Sequence, residues 1–113
     1  MLGQLKPLIL PLNFEPFNND YVEMVKKHVL ENLKTYDCKI FVYGSRARGN
    51  NHRFSDLDLG IIPQNDKQLP IYDIQDYLNY ESIVPFKIEI VDFSKADEKF
   101  KSHALETIIW WKQ

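Results

Sequence analysis

The sequence predicts an α/β domain built on a small sheet, and three observations carry that prediction. Apolar residues recur at three-and-four spacing in three segments, the pattern of helices with one buried face. Between those segments lie short runs in which apolar and polar residues alternate, the pattern of strands. The first two such runs are separated by too few residues for a crossover helix, so the sheet is expected to contain an antiparallel pair.

Residues 1–18 carry Pro7, Pro11 and Pro16 and no helical period, so they read as an extended arm ahead of one domain at 19–113. Asn18, Asn19 and Asp20 offer N-caps to a helix over about 20–35, with Val22, Val25, Val29 and Leu33 on its inner face. Glu23, Lys27, Glu31 and Lys34 fall on the outer face, and His28 beside them reads as a solvated or half-covered histidine. A strand follows at 38–43, and its Cys38 reads as a small buried hydrophobe. It stops at Gly44-Ser45, after which Arg46-Ala47-Arg48 could begin a short helix. A second strand runs over 56–62 and ends at Pro63; alternation puts Asp56 and Asp58 on one face and Leu57, Leu59 and Ile61 on the other. Pro70 suits the first turn of a helix that buries Ile71, Ile74 and Leu78. A third strand at 86–91 sets Phe86, Ile88 and Ile90 against Lys87, Glu89 and Val91. Ser94 and Asp97 resemble a capping box for a final helix with Phe100, Ala104, Ile108 and Trp111 on one stripe.

Length and charge exclude several classes. A chain of 113 residues makes one small domain, too small to build a large cleft unaided. Lys and Arg number 14 against 16 Asp and Glu, a net charge of −2, which disfavours a role in coating nucleic acid. One cysteine excludes an intrachain disulfide and a cysteine zinc site. No apolar stretch approaches a membrane span, and the first residues lack the order of a signal peptide, so a cytoplasmic setting is expected.

The chemistry concentrates between Gly44 and Asp58. A glycine-serine turn after a strand suits an anion, because backbone N–H groups face outward and glycine lets a phosphate approach. Ser45 adds a hydroxyl, and Arg46 and Arg48 add charge. Asp56 and Asp58 repel each other unless a cation lies between them, and Mg²⁺ is commonly held by one or two carboxylates plus phosphate oxygens. Alone, each signal reads more simply as a common turn and a pair of exposed acids.

Together they resemble something specific. Gly44-Ser45-Arg46-Ala47-Arg48-Gly49 followed by Ser55-Asp56-Leu57-Asp58-Leu59 resembles the signature of the nucleotidyltransferase superfamily related to DNA polymerase beta. More narrowly, it is similar to the minimal nucleotidyltransferases, its small one-domain branch. The resemblance implies a mixed sheet flanked by helices and transfer of a nucleoside monophosphate from ATP or another triphosphate to a hydroxyl, releasing pyrophosphate. It implies that Gly44, Ser45, Arg46 and Arg48 bind the nucleotide. Asp56, Asp58 and Glu89 would be the catalytic acids and hold two Mg²⁺ ions, with Mn²⁺ as an alternative. Glu89 stands where many small members carry aspartate. Alternation favours it independently, since it leaves the core to Ile88 and Ile90; Asp92, of the other parity, is the second candidate.

The family further implies a partner: a helical toxin of the HEPN type, neutralised when a tyrosine on it is adenylylated. The alternative is an antitoxin that binds the partner and silences it by contact alone. Nucleotidylation of a small molecule is disfavoured by the lack of room for an acceptor domain, and RNA tailing by charge and size. Acceptor, base preference, number of nucleotides added and oligomeric state, a homo-oligomer included, stay open. Leu8, Ile9, Leu10, Leu12, Phe14 and Phe17 of the arm, and Ile109 and Trp110 near the C-terminus, either cover this domain's own helices or offer an interface.

Overall fold

A computed structural model describes residues 5–15 and 20–113. Helix α1 (Tyr21–Leu33) is capped by Asp20, whose carboxylate accepts from the Val22 and Glu23 amides. Asn18 and Asn19, the other expected caps, lie outside the described residues. Then follow β1 (Cys38–Tyr43), the one-turn α2 (Ser45–Arg48), β2 (Leu57–Pro63), α3 (Ile71–Tyr80), β3 (Ile88–Asp92), α4 (Glu98–Ala104) and β4 (Ile109–Lys112). The strands form one mixed sheet in the order β3-β2-β1-β4. Strand β1 runs antiparallel to both β2 and β4, whereas β2 and β3 are parallel and joined through α3, as a crossover requires.

Period-two alternation decides which face each residue meets. Ile40, Val42, Leu57, Leu59, Ile61, Ile88 and Ile90 all point to one side and are buried with Val25, Val29 and Leu33 of α1 and Ile71, Ile74 and Leu78 of α3. Cys38 is buried in the same core, as expected. The other side of the sheet holds an aromatic cluster in which Phe41, Tyr43 and Phe93 pack with Ala104 of α4. Gly60 belongs to that side, because a Cβ there would land on the Phe41 ring. Phe41 cannot swing away, being in edge contact with Phe93 at 4.8 Å and Trp110 at 5.5 Å. Gly60→Ala is therefore expected to destabilise by about 1–3 kcal/mol. Thermal unfolding would read this as a fall in Tm on the order of 10 °C.

The structure corrects several expectations. The final helix ends at Ala104; Ile108 and Trp111 do not continue its stripe, because Ile109–Lys112 extends as β4 along β1. Consecutive β-branched and aromatic residues satisfy both faces of an edge strand, whereas a helix would leave half of them in water. The cap of α4 is Asp97, which accepts from the Phe100 amide at 2.8 Å, while Ser94 is bonded to Asp92 through both its amide and its hydroxyl. Strand β3 starts at Ile88, not Phe86, and β2 at Leu57, leaving Asp56 just ahead of the ladder. Pro70 sits at the N-cap of α3, one position earlier than expected.

His28 is also corrected: it is buried, with its ring stacked on Tyr77 at 5.0 Å. Burial pushes its pKa down to about 4. A histidine whose native pKa lies below its unfolded value contributes fully above about pH 6.5 and loses that contribution as pH falls toward 4. Replacing His28 with Phe should flatten the fall in Tm between those pH values, which thermal scans across that range would show.

Of the arm, residues 5–15 form no helix or strand, and residues 1–4 and 16–19, Pro16 and Phe17 among them, fall outside the described residues. Leu5 and Leu8 pack on the core, Asn32 pairs with both the amide and the carbonyl of Lys6, and the Tyr77 hydroxyl accepts from the Leu8 amide. Ile9 and Leu12 remain exposed, as do Ile109 and, less fully, Trp110. Among the described residues, no helix is long and apolar enough to cross a membrane.

Candidate active site

The site forms where β1 ends. Strand register sets Tyr43 opposite Asp58, and Asp58 opposite Glu89, so these three residues make one row across the sheet on a single face. Neighbouring strands lie about 5 Å apart, which brings the Asp58 and Glu89 carboxylates together. Asp92 is opposite Ile61 at the far end of β3 and is turned to Ser94, so it stands apart from this row.

Gly44 leaves β1 with φ +78° and ψ −155°, a conformation open essentially to glycine alone. A Cβ on Gly44 would collide with the Asp58 carboxylate. The turn and the acid are thus pressed together by the backbone. Gly44 passes its carbonyl to the Ala47 and Arg48 amides, which closes α2 and places Ser45 at its first position.

Electrostatics single out Asp58. Burial holds its carboxyl above the usual aspartate pKa, with Glu89 and then Asp56 adding repulsion; Lys87 and Arg48 oppose this more weakly. Tyr43, buried in the aromatic cluster, has its hydroxyl pKa pushed up by burial and then by Asp58 and Glu89. The site is a gathering of negative charge whose nearest cations only partly answer it.

Among the described residues, no three His, Cys, Asp or Glu side chains converge closely enough to hold a metal ion by themselves. The donor set nevertheless suits Mg²⁺. That ion is typically held by one or two carboxylates and completed by substrate phosphates, and the paired Asp58 and Glu89, with Asp56 close enough to repel Asp58, supply hard oxygen donors in excess charge.

The expected residues do not all converge. Gly44, Asp58 and Glu89 come together, Ser45 follows the turn, and Arg48 is exposed and felt at Asp58. Arg46 is engaged elsewhere: its Nε and Nη2 donate to the Ser55 carbonyl at 3.1 and 2.8 Å, and Nη2 also reaches the Arg53 carbonyl at 3.0 Å. Three other residues escaped the sequence reading. Tyr43 could have been found from strand parity, since it precedes the turn. Asn79 and Gln75 of α3 could not: Asn79 bonds both the amide and the carbonyl of Ile88 at 2.8 Å, and Gln75 accepts from the Ile90 amide at 2.7 Å. These amides act as a short neighbouring strand and fix the backbone on both sides of Glu89.

Residues 27–111 match the model of the polymerase beta nucleotidyltransferase family. The chain belongs to that family. A protein of Haemophilus influenzae that bears the name protein adenylyltransferase MntA is 29% identical over 77 residues, covering 68% of this chain and 67% of the relative. Another of Methanocaldococcus jannaschii, named protein adenylyltransferase MJ1215, is 31% identical over 71 residues, covering 61% of this chain and 80% of its own length. A crystal structure of a toxin–antitoxin with AMP-PNP superposes with a TM-score of 0.59 at 16% identity, over 76% of this chain and 71% of that one. At that identity the likeness speaks for the fold. Family membership makes this chain a nucleotidyltransferase, with its mixed sheet as expected.

Proposed function

We propose that this nucleotidyltransferase uses Mg²⁺ and moves AMP from ATP to a hydroxyl on a partner protein, acting as the antitoxin of a toxin–antitoxin pair. The acceptor proposed is a tyrosine on a helical partner of the HEPN type. The observation that carries the chemistry is the position of Asp58, enclosed by the Gly44 turn on one side and Glu89 on the other. The adenylyltransferase names of two relatives and the toxin–antitoxin neighbour with AMP-PNP support the choice of nucleotide and partner.

Asp56, Asp58 and Glu89 would hold the metal. When bound, Mg²⁺ offsets phosphate charge and polarises the phosphoryl group under attack. Gly44 leaves space for phosphate oxygens, the Ser45 hydroxyl donates to one of them, and Arg48 offsets charge on the departing pyrophosphate. The acceptor oxygen attacks the α-phosphorus as the bond to pyrophosphate breaks, and Glu89 takes the acceptor's proton. In this reading the partner's own surface presents the hydroxyl to the site.

The test is an intact-mass measurement on the co-purified partner after incubation with MgATP. Its mass is expected to rise by one or more AMP units, at a tyrosine found by peptide mapping. A partner that is bound and neutralised at unchanged mass would overturn the transfer reading in favour of inhibition by contact.

A further inference from the structure

We propose that Arg46 is a positioning residue that holds Asp56 in place, and not a ligand of the triphosphate. The proposal rests on the nucleotidyltransferase reading of the site and assigns a task within it. Asp56 lies just ahead of β2, so the ladder with β1 and β3 does not fix it; β2 pairing begins at Leu57 with Ile88. The segment leading into it, 49–56, has no helix or strand. Arg46 supplies the missing restraint. Its guanidinium makes three hydrogen bonds to two carbonyls of that segment, those of Ser55 and Arg53, and Ser55 is the residue immediately before Asp56.

The guanidinium is also immobilised from behind. Its Cζ lies 4.4 Å from the centroid of the buried Phe86 ring, a cation–π contact that fixes the plane of the fork. On the other flank the Leu57 amide donates to the Lys87 carbonyl at 2.9 Å, joining the start of β2 to the residue after Phe86. Asp56 is therefore bracketed: Arg46 grips the carbonyl before it and Lys87 the amide after it. A planar fork with donors on Nε and Nη2 can do this; an ammonium group cannot reach both carbonyls while stacking on the ring. Three of its five N–H donors and its ring contact are thus committed to this loop, while Arg48, exposed at the end of the same turn, is the arginine placed to meet a phosphate.

The two roles separate experimentally through Arg46→Gln and Arg46→Lys. A positioning role predicts kcat lowered about 10–100-fold in both, the range seen when an outer partner of a metal-site ligand is removed, with the KM for ATP changed less than about twofold. Lysine does not rescue. Hydrogen exchange, which needs no turnover, should show faster exchange at the amides of Ser55 and Leu57 in both variants, with the β1 amides unchanged. A raised KM at normal kcat, restored by lysine, would overturn the proposal, and so would wild-type exchange at Ser55 and Leu57. Should the wild-type chain transfer nothing, the reading of the site fails, while exchange still decides whether Arg46 holds this segment.

Discussion

Asp58→Asn is expected to lower AMP transfer on the order of a thousandfold while Tm at pH 7 stays level or rises. The loss follows from the position of this carboxylate beside Glu89 and against the Gly44 turn, where no other acid can replace it. The stability effect has the opposite sign, and linkage gives its pH range. Burial, then Glu89 and Asp56, raise the native pKa of Asp58 above its usual 3.8. An acid with a raised native pKa destabilises the fold only where it is ionised, so the penalty is absent well below pH 3.8 and complete above the native value. The asparagine variant removes a penalty at pH 7 and nothing at low pH. Thermal scans at both should show the gain vanish on acidification. In wild-type protein, Mg²⁺ should raise Tm by mass action, and in the variant it should do so far less. A variant that unfolds at pH 7 would mean that Asp58 serves the fold.

Gly44→Ala should be nearly as damaging, through the backbone. The residue occupies a region that costs a side chain about 1–3 kcal/mol, and its Cβ would strike the Asp58 carboxylate. Displacing that carboxylate by even an ångström is worth about a hundredfold in rate. Gly49→Ala is the matched control. Gly49 has φ +80° in the left-handed region at the end of α2, but nothing lies within 4 Å of a Cβ there. It should lose about 1–2 kcal/mol of stability and keep its rate. Comparable rate losses in the two variants would show that backbone strain, not contact with Asp58, governs the effect at Gly44.

Much of the site could be read from local pattern, because strand parity is local. Alternation places Asp58 and Glu89 opposite the core, in line with the family resemblance that favours Glu89 over Asp92, and the register sets Glu89 beside Asp58. What pattern could not supply was the pairing: that β3 lies parallel beside β2 with Glu89 opposite Asp58 depends on α3 carrying the chain back across the sheet. The fourth strand is hidden in the sequence because Ile108 and Trp111 also fit a helical stripe, and a short apolar run is ambiguous between the two periods. The burial of His28 is not legible locally, because Tyr77, remote in sequence and itself bonded to the arm at Leu8, stacks on its ring. Arg46 illustrates a different limit. An arginine after a glycine-serine turn suggests a phosphate ligand, and only the folded loop shows that backbone carbonyls engage its Nε and Nη2.

The central claim is AMP transfer from the Asp58 site to a protein. The most direct measurement incubates the purified chain and its co-purified partner with Mg²⁺ and ATP labelled at either the α or the γ phosphate, with Asp58→Asn alongside. The account predicts label from the α position on one protein band, no label from the γ position, and none of either with the variant. Label that arises from the γ position, or α label that persists in the variant, would contradict it.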